Sequence, residues 1–257
     1  METKYHYKPE ELLRKIAPEE MGLEYTSVQR LEFAIELEGG RYLYSGEEEL
    51  CLACIEGQMD FECSGQKGTA VLKDMLYIPC KTGIKLKAGK SAVMMCYGAP
   101  SELDSRFVHI KFTDVNDDKK RHHVYGNKEM GCLRHVWNFI DDTFNASRLL
   151  MGLCAGESGG WTAWPPHEHA KKREEVYVYF NMGDAFGIQC VYEDMKNPLV
   201  VAMVGNGDMV SVPRGYHPST GCPAGGIFYI YCMVSKKPGD RAFMDLNIQS
   251  IYGGKFE

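Results

Sequence analysis

The residues best suited to chemistry in this chain are three histidines and a neighbouring carboxylate. His167 and His169 are separated by one residue, so their side chains point to the same side if the segment is extended. A third histidine, His217, follows Val212-Pro213 later in the chain. With a carboxylate from the pair Glu174-Glu175, these histidines predict a site for one divalent metal ion that keeps open coordination positions.

The two adjacent glutamates are alternatives for the same ligand position. On a strand, Glu175 shares a face with Tyr177 and Tyr179, whereas Glu174 points to the opposite side with apolar residues. A cavity for a polar substrate favours the face with the tyrosines, so we predict Glu175 as the ligand. Glu174 stays open as the alternative, because the loop after His169 could shift the register by one residue.

The composition is that of an ordinary globular protein. The chain has 257 residues, of which 44% are hydrophobic and 25% are charged, enough for one large domain or two small ones. Its formal net charge is −6, and its one basic block is Lys171-Lys172-Arg173, which we expect to be solvated. This charge balance argues against a nucleic-acid partner.

The sequence also bears on the cellular setting. We see no apolar signal segment at the N-terminus and no run long enough to span a bilayer, so we expect no membrane partner. Ten scattered cysteines favour reduced thiols and a cytoplasmic location. Cys51 and Cys54 resemble a redox or zinc pair, but residues three apart on a strand face opposite sides, which favours a buried structural role.

Short β-type runs broken by Gly, Pro and Asp dominate the chain and predict an all-β sandwich or barrel. One exception is residues 9–21, where Leu12, Leu13 and Ile16 have helical spacing and predict a short N-terminal helix. The polar residues 113–120 are the best candidate for a linker.

An internal repeat predicts two halves of similar structure. Residues 74–79 match residues 208–213, and residues 49–57 have the same pattern as residues 175–183, in the same order. We therefore predict an N-terminal domain of residues 1–115 and a C-terminal domain of residues 116–257.

The same repeat predicts that the first half binds no metal. In this register Glu49 corresponds to Glu175 and is the one ligand retained. The three histidines correspond to residues that are unsuited to binding a metal, namely Arg41, Leu43 and Gly83. The second half is thus predicted to bind the metal and to carry the function.

Four segments resemble the metal motifs of the cupins, and in particular one family of bicupins. These segments are residues 165–169, 175–179, 186–192 and 212–218. The family comprises the 5-deoxyglucuronate isomerases of inositol catabolism and the 4-deoxy-5-keto-uronate isomerases of pectin breakdown, and the last two segments are more similar to the first branch. The resemblance extends loosely over most of the chain and is specific in the second half.

The resemblance implies an all-β bicupin, with two tandem double-stranded β-helix (jelly-roll) barrels. It also implies one divalent metal ion per chain, Zn, Mn, Fe, Co or Ni, with Zn or Mn favoured, held by His167, His169, Glu175 and His217. The general cupin spacing after the second histidine is met instead by Glu174. The implied reaction converts 5-deoxy-D-glucuronate into 5-dehydro-2-deoxy-D-gluconate through an enediolate that the metal stabilises.

Further residues are candidates for handling such a sugar acid. Tyr177 and Lys172 join Glu175 as candidate catalytic groups. An arginine suits the substrate carboxylate, because its guanidinium can bind both oxygens. The basic run Lys171-Lys172-Arg173 could bind the carboxylate instead, although such a charge run is more often solvated. The candidates for substrate binding are Tyr179, Gln189, Arg214, Tyr216, Arg134 and Trp164.

Two other functions remain open from the sequence. One is a different metal cupin, such as an Fe(II) dioxygenase or another sugar isomerase or epimerase. The other is a sugar-binding cupin without catalysis. The expected partner in all cases is a small sugar acid, and the oligomeric state, including a homo-oligomer, is left open.

Overall fold

Strands are the main secondary structure of the computed structural model, which describes residues 3–34, 40–169, 171–223 and 225–253. The strands of the first half are β1 (His6–Tyr7), β2 (Ser27–Phe33), β3 (Arg41–Tyr44), β4 (Glu48–Glu56), β5 (Gln58–Cys63), β6 (Gln66–Val71), β7 (Met75–Ile78), β8 (Gly83–Lys87), β9 (Ala92–Pro100) and β10 (Val108–Ile110). A short helix, α1 (Phe112–Asp117), follows them.

The second half continues the same pattern of short strands. They are β11 (His122–Tyr125), β12 (Arg134–Ile140), β13 (Leu149–Gly156), β14 (Trp161–Thr162), β15 (His167–Glu168), β16 (Arg173–Tyr179), β17 (Gly187–Val191), β18 (Val200–Val204), β19 (Met209–Val212), β20 (Ser219–Gly221), β21 (Ile227–Ser235) and β22 (Asn247–Ile248). A 3-10 helix, Ser250–Tyr252, comes last. None of the described helices is long and apolar enough to cross a membrane.

Each half forms a barrel from two main sheets. In the first, a sheet in the order β10-β7-β4-β9-β2 faces a sheet in the order β3-β8-β5-β6. Alternate residues of β5, such as Met59 and Phe61, point inward to an apolar core that also contains Leu52 and Ile84. The second barrel pairs the sheet β1-β19-β16-β21-β13-β12-β11 with the sheet β14-β20-β17-β18. The predicted all-β architecture of two tandem barrels is confirmed.

The two barrels share one large apolar core. It includes Cys51 and Tyr77 of the first barrel together with Val176, Val212 and Tyr231 of the second. The strand β1, from the very start of the chain, adds to the second barrel by pairing with β19. The leading residues therefore belong to the sheet of the second barrel, although the predicted boundaries assigned them to the first domain.

The predicted N-terminal helix is instead two separate 3-10 helices, Pro9–Leu13 and Pro18–Met21. The reason is local: Pro18 has no backbone N–H to continue a helix, and Ile16 between the two turns bonds to Val28 of β2. The predicted linker is largely helical, since α1 covers residues 113–117 and packs through Phe112 on Trp137, with 5.6 Å between ring centroids.

Strand pairing corrects the register of the internal repeat. Residues 75–78 and 209–212 are equivalent, since β7 and β19 pair with β4 and β16 in the same way. However, Ile78 lies opposite Leu50, whereas Val212 lies opposite Glu175. Leu50 is thus the counterpart of Glu175, and the predicted match of Glu49 with Glu175 is wrong by one residue.

The match proposed for His167 is also wrong. Arg41 pairs with Leu86 in the first barrel, and Trp161 pairs with Thr220 in the second. Gly83 and His217 are matched positions of the repeat. Leu86 lies three residues after Gly83 and Thr220 lies three residues after His217, so Leu86 and Thr220 are equivalent. Arg41 is consequently the counterpart of Trp161, and the segment that carries the first two histidines has no counterpart in the first barrel.

Candidate metal centre

Three buried histidines converge inside the second barrel. His167, His169 and His217 each offer one ring nitrogen, and these atoms all lie within 4.8 Å of one another. Their ring centroids are 4.8 to 5.3 Å apart. Each side chain is less than a tenth exposed. The His-x-His segment and the distant third histidine are therefore brought together as the sequence predicted.

Glu175, and not Glu174, lies with the histidines. Its Oε2 atom is 3.3 Å from His169 Nε2 and 3.2 Å from His217 Nε2. Strand β16 is extended and pairs regularly with β21, so its neighbour Glu174 points to the opposite side. There Glu174 accepts hydrogen bonds from the backbone of residues 24–26. The face argument from the sequence thus selects the glutamate that the fold brings to the site.

Backbone carbonyls orient two of the rings. The Nδ1 atoms of His167 and His217 lie 3.0 Å from the Pro165 carbonyl and 2.9 Å from the Gly215 carbonyl, respectively. A hydrogen bond from Nδ1 to a carbonyl leaves Nε2 as the atom available to a metal. The segment of His167 is tied down further by the pairing of β15 with β22.

The donor set fits a divalent ion. Among the described residues, His217 Nε2 and Glu175 Oε2 have no hydrogen-bond partner, although both atoms are shielded from solvent. Buried polar atoms without partners are costly, and a cation placed between them would satisfy both. Three imidazoles and one carboxylate are also a ligand set that suits Zn, Mn or Fe.

Burial sets the protonation states that a metal needs. Burial, with the charges of His217 and His169 adding to it, holds the pKa of His167 well below its usual value. Burial likewise lowers the pKa of His169. For Glu175 burial alone would raise the pKa, but the contacts with His169 and His217 outweigh it and lower the pKa. Neutral imidazoles beside an ionised carboxylate are the states that bind metal ions.

A cavity opens beside this cluster, with a volume of about 570 Å³ when its mouth is included. Tyr177 and Tyr229 form one wall, stacked with their ring centroids 4.5 Å apart. Most of the other lining side chains are apolar or aromatic, with a few polar groups that converge on the cavity. The lining includes Tyr125, Arg134, Val136, Cys154, Ala163, Tyr231, Met233, Phe243, Met244 and Leu246.

Three predicted site residues lie close to the cluster: Tyr179 and Gln189 contact the loop of His217, and Arg134 lines the cavity. The Tyr179 hydroxyl donates to Gln189 Oε1 at 2.6 Å, and Gln189 Nε2 donates to the His217 carbonyl at 2.8 Å. This pair positions the loop of His217. Arg134 lines the cavity and donates to the carbonyl of Trp164.

Three predicted residues lie outside the cavity. Arg214 is half exposed and donates to Glu193 at 2.7 Å. Lys172 is also half exposed and pairs with Asp245. The ring of Tyr216 packs beside Tyr192, with 5.8 Å between centroids. The fold does not bring these three side chains to the histidine cluster.

Sequence reasoning missed other parts of the cavity wall. Tyr229, Tyr231 and Met233 alternate along β21, so the period-two pattern of residues 227–234 could have identified them. The segment with Met244 and Leu246 has no such pattern, and nothing in the sequence points to it.

Solved structures with similar folds support the cupin assignment. The crystal structure of an IolB-like protein from Salmonella typhimurium LT2 superposes with a TM-score of 0.78 at 22% identity, covering 98% of this chain and 95% of that one. A cupin 2 conserved barrel domain protein from Leptotrichia buccalis superposes with a TM-score of 0.55 at 12% identity, covering 92% and 98%. At these identities the likeness shows the fold, and the predicted bicupin is confirmed.

Curated relatives and a family model cover almost the whole chain. The 5-deoxy-glucuronate isomerase of Halalkalibacterium halodurans is 29% identical over 256 residues, which is 91% of this chain and 90% of that protein. The enzyme of the same name from Bacillus licheniformis is 27% identical over 241 residues, or 85% and 84%. The model of the KduI/IolB family matches residues 2–251. This chain, with its His-x-His loop and barrel cavity, therefore belongs to the KduI/IolB family.

Proposed function

We propose that this protein is an aldose–ketose isomerase acting on a deoxy-uronic acid, converting 5-deoxy-D-glucuronate into 5-dehydro-2-deoxy-D-gluconate in inositol catabolism. The observation that carries the proposal is the buried cluster of His167, His169, His217 and Glu175 beside a cavity lined largely by aromatic and apolar side chains. Relatives named 5-deoxy-glucuronate isomerase that match most of the chain support the choice of substrate.

The reaction moves two hydrogen atoms and consumes no co-reactant. The aldose loses a proton from C2 to give an enediolate, and a proton is then added at C1. The hydroxyl proton of O2 passes to O1, so the aldehyde becomes a CH2OH group and C2 becomes a ketone. A divalent ion in the cluster, with Zn or Mn favoured, would polarise the two oxygens and stabilise the negative charge of the enediolate.

The residues of the chain contribute position and hydrogen bonding. Glu175 and the three histidines would hold the divalent ion to which the reacting end of the sugar acid binds. Burial raises the pKa of Tyr177 well above its usual value, so its hydroxyl stays protonated and is a donor toward an enediolate oxygen. Apolar wall residues such as Met233 and Leu246 exclude water from the enediolate.

Arg134 is a candidate for binding the substrate beyond its reacting end. Its side chain is almost fully buried at the cavity wall, where it also stacks on Tyr125 at 5.5 Å. The guanidinium is held by the carbonyls of Cys132 and Trp164, so its direction is fixed before a ligand enters.

All ten cysteines are free thiols, which is in keeping with the proposed cytoplasmic location.

The test is an assay of the metal-loaded protein with 5-deoxy-D-glucuronate in D2O, without oxygen and without nicotinamide. We expect turnover to the ketose with deuterium incorporated at the former C1. Turnover that consumes oxygen would indicate a dioxygenase. Binding of the sugar acid without any product, over a panel of deoxy-uronic acids and metals, would indicate a binding protein.

A further inference from the structure

Arg173 is a buried cation beside the candidate metal centre. Its side chain is among the largest that the fold buries fully, with 2% exposure, although it belongs to the basic run expected to be solvated. Among the described residues it forms no ion pair with an acid, and its Nη1 atom donates to the backbone carbonyl of Asp245 at 2.7 Å. Its Nε and Nη2 atoms have no hydrogen-bond partner. A buried guanidinium that is left half satisfied is unfavourable unless an anion completes it.

The position of Arg173 in β16 directs it to the same side as the active cluster. Pairing with β21 is regular from Arg173 opposite Ser235 to Tyr179 opposite Tyr229, without a bulge. Side chains two residues apart on such a strand share a face, so Arg173 lies on the face of Glu175 and Tyr177. Both of those residues line the cavity.

A short segment connects Arg173 to the lining of the cavity. Met244 and Leu246 line the cavity, and the residue between them, Asp245, provides the carbonyl that Arg173 binds. The same Asp245 pairs through its carboxylate with the exposed Lys172. The segment is also surface-facing, since Met244 is about half exposed. Unlike a barrel strand, residues 243–246 form no ladder with a neighbouring strand, although β22 directly after them pairs with β15.

Another buried arginine shows how this fold satisfies a purely structural guanidinium. Arg241 is 7% exposed, and it donates to four backbone carbonyls, those of Asp141, Phe144, Ala146 and Leu149. Arg173 has one such partner. The two nitrogens that it leaves empty, Nε and Nη2, lie on one edge of the guanidinium and match the two oxygens of a carboxylate.

We propose that Arg173 pairs with the carboxylate of the substrate and thereby makes the enzyme selective for a sugar acid over the corresponding neutral sugar. This inference rests on the proposed function, because it takes the substrate to be a uronic acid bound at the His167 cluster. The segment around Asp245 moves aside when the acid binds, and the substrate carboxylate takes up Nε and Nη2. Arg134, which lines the cavity, then contacts the hydroxyl groups.

The test compares two substrates that are identical at C1 and C2. One is 5-deoxy-D-glucuronate, and the other is the neutral 5-deoxyhexose with CH2OH in place of the carboxylate. For Arg173→Met, we expect kcat/KM for the acid to fall at least about 30-fold, mainly through KM, because a partner of a buried charge pair is lost. The value for the neutral sugar should change less than about threefold, since that sugar makes no such pair. Arg173→Lys should recover part of the loss.

Arg241→Met is the matched control, because it removes a buried arginine of purely structural role. It should lower the midpoint of thermal unfolding and change both substrates by the same factor. If Arg173→Met also changes both substrates equally, then Arg173 has a structural role and the inference is overturned. Metal content, measured for each variant, should stay at the wild-type level.

A binding measurement separates this inference from the proposed function. In metal-loaded wild-type protein, D-glucuronate should raise the midpoint of thermal unfolding more than D-glucose does, and Arg173→Met should abolish the difference. That result together with a wild-type protein that isomerises neither substrate would support Arg173 as the carboxylate site and refute the isomerase. A difference that survives in Arg173→Met overturns the inference whatever the activity.

Discussion

The two barrels share one strand plan but differ in the connection that leads into their long central strand. In the first barrel, β3 and β4 are joined by residues 45–47. In the second, the equivalent strands β14 and β16 are joined by residues 163–172, which carry His167 and His169. Half of the candidate metal centre is thus an insertion into a scaffold that is complete without it.

The other two ligand positions exist in the first barrel but are closed to a metal. Leu50, the counterpart of Glu175, is 4% exposed and packs in an apolar core with Ile78 and Met94. Gly83, the counterpart of His217, has no side chain to offer, and a Cβ there would lie 1.9 Å from the hydroxyl of the exposed Tyr42, which would have to move. The first barrel fills the space that the second keeps for chemistry.

What the barrels do share is a pair of buried carboxylates that hold them together. Glu49 accepts the backbone N–H groups of residues 147–149, just before and at the start of β13. Glu174 accepts those of residues 24–26, just before β2. Each barrel therefore fixes the entry of the other. In the Glu174-Glu175 pair, the first glutamate belongs to the common scaffold and the second belongs to the candidate metal centre.

The largest expected effect is that of removing the ligand which the first barrel lacks. Glu175→Gln should weaken metal binding at least about 100-fold and abolish turnover, because the ion loses its one anionic ligand. Glu174→Gln is the matched control and should keep the metal and much of the activity. Metal analysis after dialysis measures both.

The opposite outcome would overturn the assignment of roles to the two glutamates. If Glu174→Gln lost the metal and Glu175→Gln retained it, then the register of β16 would be one residue away from the one described. The general cupin spacing after His169 would in that case predict the ligand correctly.

Metal stoichiometry tests the asymmetry of the barrels directly. The purified protein should hold about one divalent ion per chain, because within the part of the chain that the structure describes the second barrel alone brings three histidines together. A reproducible value near two, with the second ion located in the first barrel, would show that Leu50 and Gly83 do not close that site.

The free energy of unfolding tests whether the two buried glutamates, Glu49 and Glu174, stabilise the protein to the same extent. Glu49→Gln and Glu174→Gln should each lower the free energy of unfolding by about 2 kcal/mol or more, because an amide NH2 would face backbone N–H donors that now bind a charged acceptor. We expect the two losses to be similar, as measured by urea denaturation of the metal-loaded protein. A loss in one variant only would mean that the barrels do not brace each other equally.

The smallest expected effect is a pH dependence that arises in the second barrel. Burial holds the pKa values of His167 and His169 below the ordinary 6.5. As pH falls through 6.5, the unfolded chain gains protons that the folded chain does not, so the free energy of unfolding of metal-stripped protein should decrease, by at most about 1.4 kcal/mol per pH unit for each histidine. The double variant His167→Gln/His169→Gln should show a shallower slope. An unchanged slope would exclude these histidines as its origin.

Much of the fold and of the site could be predicted from local patterns. Alternation along β16 separated Glu175 from Glu174, and the repeated residues 74–79 and 208–213 revealed two barrels. Both signals are local, because a strand fixes its faces over a few residues. The spacing of His167 and His169 gave the metal centre for the same reason.

The predictions that failed concern residues whose positions depend on contacts between segments far apart in the sequence. The repeat was aligned on glutamates, but Glu49 is kept for its contact with residues 147–149, which no local pattern encodes. The sequence offered Arg173 as a carboxylate partner only as part of the run with Lys171 and Lys172, for which a solvated position was favoured. Its burial depends on contact with a segment about seventy residues later. Such contacts follow from the closed fold and not from neighbouring residues.

The pairing of β1 with β19 has a consequence for how the protein folds. His6 and its partner Val210 lie about 200 residues apart in the sequence. The sheet of the second barrel is complete only when these two strands have met, so its formation is limited by the closure of a very long loop. A substitution in β1 that weakens this pairing should therefore slow the formation of the second barrel more than that of the first, although β1 is nearer to the first barrel in sequence.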